Sequence, residues 1–170
     1  MITYSNIGYF GRLGNQMFQY ASLVGIATHR NFDYGIPYKN ADTEKTMNVR
    51  TGPEKLELTS VFKNLKAKDV TVEKPQTVYY DVACKHEPMY VELIKDGMDI
   101  LGYFQSEKYF SHCKQNIREQ FAFDTKEHMV SWHHVNKGTY DYPVCVHVRR
   151  GDYVQYEGIH DFPGKDYYHE

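Results

Sequence analysis

The run Tyr-Pro-Val-Cys-Val-His-Val at residues 142–148 stops abruptly at Arg149-Arg150-Gly151-Asp152-Tyr153, and this junction restricts the fold more than any other stretch. β-Branched residues with no separating charges are what a strand covered on both faces of a parallel sheet carries. The class expected is therefore α/β. In open sheets of that class ligands bind in the crevice outside the carboxyl ends of the strands, which is where this chain places its charges.

An arginine presents a planar fork of donors that matches phosphate oxygens, and a glycine beside it permits close approach of the backbone. Arg149, Arg150 and Gly151 thus suit a bulky anion, a diphosphate before others. The residues alone leave a second reading open, in which one arginine pairs with Asp152 and the other is solvated.

Ile2-Thr3-Tyr4-Ser5 reads as a short opening strand, and the glycine-punctuated segment 8–14 feeds a helix expected from Asn15 to His29. Asn15 is its expected cap, Met17, Ala21 and Val24 share a face with Phe18 and Gly25 beside it, and His29-Arg30 complements the dipole at its end. Gly11-x-x-Gly14 is no dinucleotide fingerprint, but it brings backbone amides to a helix amino terminus, a place that suits anionic or hydroxyl-rich ligands. Arg12, Asn15 and Gln16 either line a cleft there or serve as cap and solvated charge.

Residues 39–76 read as a charged surface region with short helices and a modest apolar pattern of Leu56, Leu58, Val61, Phe62 and Leu65. Strands are expected at 70–72, 77–82 and 99–104. Ser106 is expected to cap one helix whose Phe110, Cys113, Ile117 and Phe121 form a single stripe. Asp124-x-x-Glu127 is a capping box for a helix through Val135 that ends at Asn136-Lys137-Gly138, before the strand at 143–148.

With 170 residues, 41% of them hydrophobic and 25% charged, the chain is long enough for one domain with a real core, and its net charge of -2 supplies no global field for nucleic acid or an anionic membrane. No run reaches bilayer length, and Met1-Ile2-Thr3-Tyr4 lacks the basic start and apolar core of a secretory signal, so a cytoplasmic location is expected. Cys84, Cys113 and Cys145 are an odd, scattered three that suit reduced thiols. His112-Cys113, Cys84-x-His86 and His133-His134 lack paired ligand spacings, so no metal site is expected. The 16 tyrosines offer flat faces with hydroxyl donors of the kind sugars dock against.

Three ordered stretches carry a resemblance. His147-Val148-Arg149-Arg150-Gly151-Asp152-Tyr153 resembles the His-x-Arg-Arg-x-Asp-Tyr signature of the alpha-1,2-fucosyltransferases of glycosyltransferase family 11; the segment from Gly11 to Ala21 resembles their amino-terminal signature; and that from Gly102 to Phe110 resembles their middle segment. The resemblance implies a Rossmann-like α/β fold of the two-domain GT-B type. It implies inverting transfer of fucose from GDP-fucose to the 2-hydroxyl of a galactose-type acceptor, with no metal and no cofactor beyond the donor.

Carried over by residue, Arg149 clamps the diphosphate, Arg150 and Asp152 hold its loop in shape, and His147, Gly151 and Tyr153 complete the nucleotide contact. Arg12, Asn15 and Gln16 face the same cleft, Asn15 within the catalytic group. Related enzymes carry a glutamate in the loop past the arginines, which makes Glu157 the candidate base for the acceptor proton, with a plain surface charge as the other reading. The chain holds no Asp-x-Asp to bind a divalent ion, so arginine stands where a metal otherwise neutralises the leaving diphosphate.

The implied partners are GDP-fucose and a galactose-containing glycan, compatible with peripheral contact to membrane-bound acceptors. Family members run considerably further, and residues 166–170 read as the first turn of the next family helix. The expected organisation is an amino-terminal Rossmann-like, acceptor-side domain at 1–138 and the start of a GDP-fucose-binding domain at 139–170, with most of that second domain lacking. The alternative is a catalytically inactive truncated relic that binds nucleotide or carbohydrate.

Overall fold

Ile2–Thr3 form strand β1, helix α1 spans Leu13–Arg30, and β2 follows at Tyr34–Ile36. Two parallel strands cannot be joined by a tight turn, and α1 is the crossover that joins these. Next come α2 (Leu58–Val61), β3 (Lys68–Asp69), β4 (Val78–Asp81), α3 (Pro88–Leu93) and β5 (Asp99–Gly102). Two 3-10 turns, Glu107–Tyr109 and Ser111–Cys113, lead into α4 (Lys114–Gln120). The computed structural model describes residues 1–8, 11–38, 56–71, 78–81, 86 and 88–123. All of them belong to the first of the two units into which the chain divides, Met1–Thr125 and Lys126–Glu170.

The five strands form one parallel sheet in the order β3-β2-β1-β5-β4. The chain builds outward from β1 to β3, crosses to the opposite edge at β4 and returns to β5 beside β1. The steps from β1 to β2, β2 to β3 and β4 to β5 all run in one direction across the sheet, and only the step from β3 to β4 runs the other way. The α/β class expected from the sequence is what the described residues form.

Helix α1 is the centre of the core. Every residue from Gln19 through Ala27 is buried, so the single apolar stripe expected from the sequence is too narrow. Phe18, expected beside that stripe, is 38% exposed and its ring meets Phe110. The all-round cover comes from close approach of the segment after β5: a Cβ on Gly25 would lie 2.2 Å from the Tyr109 carbonyl oxygen and 2.8 Å from Phe110 Cα. Ser22 Oγ donates to the Phe104 carbonyl at 3.3 Å on the same side. Elsewhere in a helix alanine is favoured over glycine by about 1 kcal/mol. Here the added methyl meets backbone that cannot swing aside, so Gly25→Ala is expected to destabilise by about 1–3 kcal/mol net. A thermal melt checks this, with a fall of about 2–4 °C for each kcal/mol; an unchanged or higher melting temperature would refute the packing argument.

The helix ends also differ from expectation at one terminus. Arg12 is the N-cap, in extended conformation and with no side-chain capping bond, so Asn15 lies inside the first turn instead of capping it. The Leu13 amide is satisfied by Glu57 Oε2 at 3.2 Å, a partner 44 residues away that local patterning does not disclose. At the other end His29-Arg30 occupy the last turn as expected, and both pair with Glu92 of α3. Asn31 closes the helix in the left-handed conformation, φ 55, with its amide on the Ala27 and Thr28 carbonyls.

The single helix expected from Ser106 is broken. Ser106 does cap, accepting from the Lys108 amide, but it caps only a 3-10 turn. Phe110, at φ -135 and ψ 7, leaves helical geometry before α4 begins. The interruption lies at the residues packed against Gly25, where contact with α1 overrides the local periodicity. The expected stripe still packs on the core, with Ile117 buried and Phe110, Cys113 and Phe121 partly so.

Strand β3 falls two residues before the expected position. Val70 instead donates its amide to the Ile36 carbonyl at 3.1 Å and sits against Gly35, which has no side chain to obstruct it. Leu56, Leu58 and Phe62 are buried, as their pattern suggested. A polar knot ties this region down: Tyr20 donates to Gln120 Oε1 at 2.5 Å while the Lys66 and Ala67 amides donate to the same pair. Burial pushes the Tyr20 hydroxyl well above the ordinary tyrosine range, so it stays a neutral donor. The expected helix through Val135 and the strand at 143–148 lie outside the described residues.

Candidate functional site

β1 and β5 are neighbours in the sheet, and the edge formed by their carboxyl ends is the one where open α/β sheets take ligands. Thr3 pairs in register with Asp99, so β5 begins level with the end of β1. The Asp99 carboxylate is buried and accepts from Thr3 Oγ1 at 2.6 Å, the Ser5 amide at 2.8 Å and Ser5 Oγ at 2.6 Å. It therefore holds the turn that follows β1 against the start of β5. Tyr4 does the same further along: its hydroxyl donates to the Gly102 carbonyl and accepts from the Gly102 amide at 3.0 Å.

Beyond β5, Phe104 is fully buried with φ 49, a left-handed conformation that a bulky residue adopts only when its surroundings compel it. The rings of Tyr4 and Tyr109 stand edge-on to it at 6.3 and 5.3 Å, and its carbonyl accepts from the Ser106 amide at 2.8 Å. Gln105, the next residue, is exposed beyond the carboxyl end of β5.

On the α1 side Gly11 has φ +79, and a Cβ there would lie 1.9 Å from Asn15 Nδ2. Only glycine fits on both counts. Gly14 has no atom within 4 Å of where its Cβ would be. Asn15 Oδ1 accepts from Gln105 Nε2 at 2.7 Å, joining the first turn of α1 to the end of β5. Arg12 is exposed at the helix cap. Gln16 faces inward and is fully buried: its Oε1 accepts from the Glu57 and Leu58 amides at 2.9 and 3.0 Å, and its Nε2 donates to the Gly11 carbonyl at 3.3 Å. Gln16 thus caps α2 and braces the glycine turn, while Glu57 occupies part of the helix terminus that the sequence suggested for an outside anion.

Of the candidate site residues the structure brings Arg12, Asn15 and Gln16 to the start of α1, with Asn15 against Gln105 and Gln16 buried. His147, Arg149, Arg150, Gly151, Asp152, Tyr153 and Glu157 lie outside the described residues. Among the described residues no group of three His, Cys, Asp or Glu could hold a metal ion, and no helix is long and apolar enough to cross a membrane. Cys113 is a free thiol that burial pushes above the usual cysteine range, as suits a reduced packing residue; Cys84 and Cys145 lie outside the described residues.

Sequence reasoning passed over Asp99, Ser5, Glu57 and Gln105. Only Asp99 carried a signal: a carboxylate at the head of an otherwise apolar strand must find partners if it is buried. The others act across separations of 44 to 94 residues, which no local pattern reports.

The described residues thus define a parallel α/β domain in which two of the ordered stretches, 11–21 and 102–110, pack against each other through Asn15 with Gln105 and Phe18 with Phe110. The chain belongs to glycosyl transferase family 11, which it matches over residues 2–161. It is 34% identical to a galactoside 2-alpha-L-fucosyltransferase of Caenorhabditis elegans over 88% of this chain and 38% of the relative. A putative galactoside 2-alpha-L-fucosyltransferase of the same animal is 28% identical over 89% of the chain and 42% of the relative. An alpha-1,2-colitosyltransferase of Escherichia coli is 28% identical over 85% of the chain and 53% of the relative. The chain therefore spans about half the length of these relatives, or less. No solved structure matches it.

Proposed function

We propose that the protein takes part in inverting, metal-independent transfer of fucose from GDP-fucose to the 2-hydroxyl of a galactose-type acceptor in a glycan. The observation that carries this reading is the contact of Asn15 with Gln105, which joins two family stretches beyond the carboxyl end of β5. Family membership and the names of the relatives supply the reaction class.

In this reading the described residues are the acceptor-side part of a two-domain GT-B arrangement, residues 1–138, and 139–170 begin the donor-binding part. Breaking the bond between fucose and phosphate leaves negative charge on GDP, and the Arg149 guanidinium stabilises it as it develops. Arg150 and Asp152 keep that loop in shape, with His147, Gly151 and Tyr153 beside the nucleotide. Glu157 takes the proton of the acceptor hydroxyl. Asn15 and Arg12 meet substrate from the α1 side, and Gln16 holds their turn from behind. The reaction is placed in the cytoplasm.

A transfer assay with labelled GDP-fucose and a terminal galactoside tests the proposal. A colitosyl donor belongs beside it, because one relative is named for that sugar. Release of GDP without a fucosylated product would refute it, and binding of GDP with no turnover would favour the inactive relic. EDTA is expected to leave the rate unchanged, since the chain has no Asp-x-Asp and arginine neutralises the leaving group. A rate abolished by EDTA and restored by manganese would count decisively against this chemistry.

A further inference from the structure

We infer that Gln105 is a positioning residue for Asn15, deciding which end of the Asn15 amide is left for a ligand; this rests on the reading of Asn15 as a substrate-contacting group. A side-chain amide has a donor end and an acceptor end of nearly equal shape, so a half-exposed asparagine with no fixed partner presents either. Here both ends are assigned. Oδ1 accepts from Gln105 Nε2 at 2.7 Å, and Nδ2 lies over Gly11, where any Cβ would come within 1.9 Å of it.

The partner is itself held. Phe104, immediately before Gln105, is locked by its left-handed φ of 49 and by the bonds of its carbonyl to Ser22 Oγ and the Ser106 amide. With Oδ1 occupied, Asn15 keeps its N–H donors for a ligand, and they suit an acceptor oxygen of a sugar hydroxyl or of a phosphate. Glutamate at 105 can only accept, so it would draw Nδ2 toward itself and leave Oδ1 for the ligand.

The test is a double-mutant cycle on kcat/KM for transfer from GDP-fucose to a terminal galactoside, with Asn15→Ala, Gln105→Ala, Gln105→Glu and the double alanine variant. Asn15→Ala and Gln105→Ala are each expected to lower kcat/KM by about threefold to tenfold, the scale of one neutral hydrogen bond. The double variant should match Asn15→Ala alone, because Gln105 acts only through Asn15. Gln105→Glu should lose at least as much as Gln105→Ala with an unchanged melting temperature, a pattern that a merely structural role does not produce.

In the labelled chain the Asn15 side-chain NH2 resonances, recognised by their absence in Asn15→Ala, should move in Gln105→Glu. Full activity in Gln105→Ala, losses that multiply in the double variant, or unmoved Asn15 resonances would each overturn the inference. Unchanged transfer in Asn15→Ala would instead overturn the role of Asn15 on which it rests. Absence of transfer in the unsubstituted protein would overturn the proposed function, while the resonance measurement still reads the amide pair without turnover.

Discussion

Asp99→Ala is expected to lower the melting temperature by roughly 10 °C, the largest loss of stability for any single substitution considered in the sheet. The carboxylate is buried and accepts three hydrogen bonds, from Thr3 Oγ1 and from the amide and hydroxyl of Ser5. Each bond to a charged acceptor contributes about 1.5–3 kcal/mol, and removal leaves three part-buried donors without their acceptor. The three share one group and do not add, so several kcal/mol in total is the expectation. Asp99→Asn should fall between, because its amide oxygen still accepts and the two hydroxyls can rotate to accept in turn. The loss should also reach the segment that leads into α1, since Asp99 anchors the turn after β1. A melting temperature for Asp99→Ala equal to that of the unsubstituted protein would show that the carboxylate does not hold this turn.

Arg149→Ala is expected to weaken binding of GDP-fucose by about 1.5–3 kcal/mol, the loss of a hydrogen bond to a charged group, or roughly ten- to a hundredfold in affinity. Arg149→Lys should not restore it, because an ammonium on a flexible stem cannot reproduce a bidentate fork. The turnover of any donor that still binds should fall further, since in the proposed reaction the same guanidinium would stabilise the charge that develops on the leaving diphosphate. Calorimetry with GDP and single-turnover transfer read the two effects separately. Unchanged nucleotide affinity in Arg149→Ala would remove Arg149 from the donor site.

The two substitutions probe different kinds of information. Arg149 was identified from its place in a short run of residues whose types state their chemistry, and the family match over residues 2–161 includes that run. Asp99 came to notice only through its partners. Its carboxylate does its work on residues 94 and 96 positions away, and a sequence pattern carries no record of such pairs.

What the sequence by itself determined is the class and the local pieces. β-Branched and apolar runs marked the strands at 2–3, 78–81 and 99–102, periodicity marked α1, and three ordered stretches marked the family, because each of these is set by neighbours along the chain. Only the tertiary structure decided how the pieces are used. The break at Phe110 arises because Gly25 admits backbone to within van der Waals distance of α1, and the first turn of that helix is satisfied by Glu57 instead of Asn15. The strand order that sets β5 beside β1, and the turning of Gln16 inward while Asn15 meets Gln105, follow from packing and from the need of every buried polar group for a partner. Those constraints act between residues distant in sequence, so they exist only once the chain has folded.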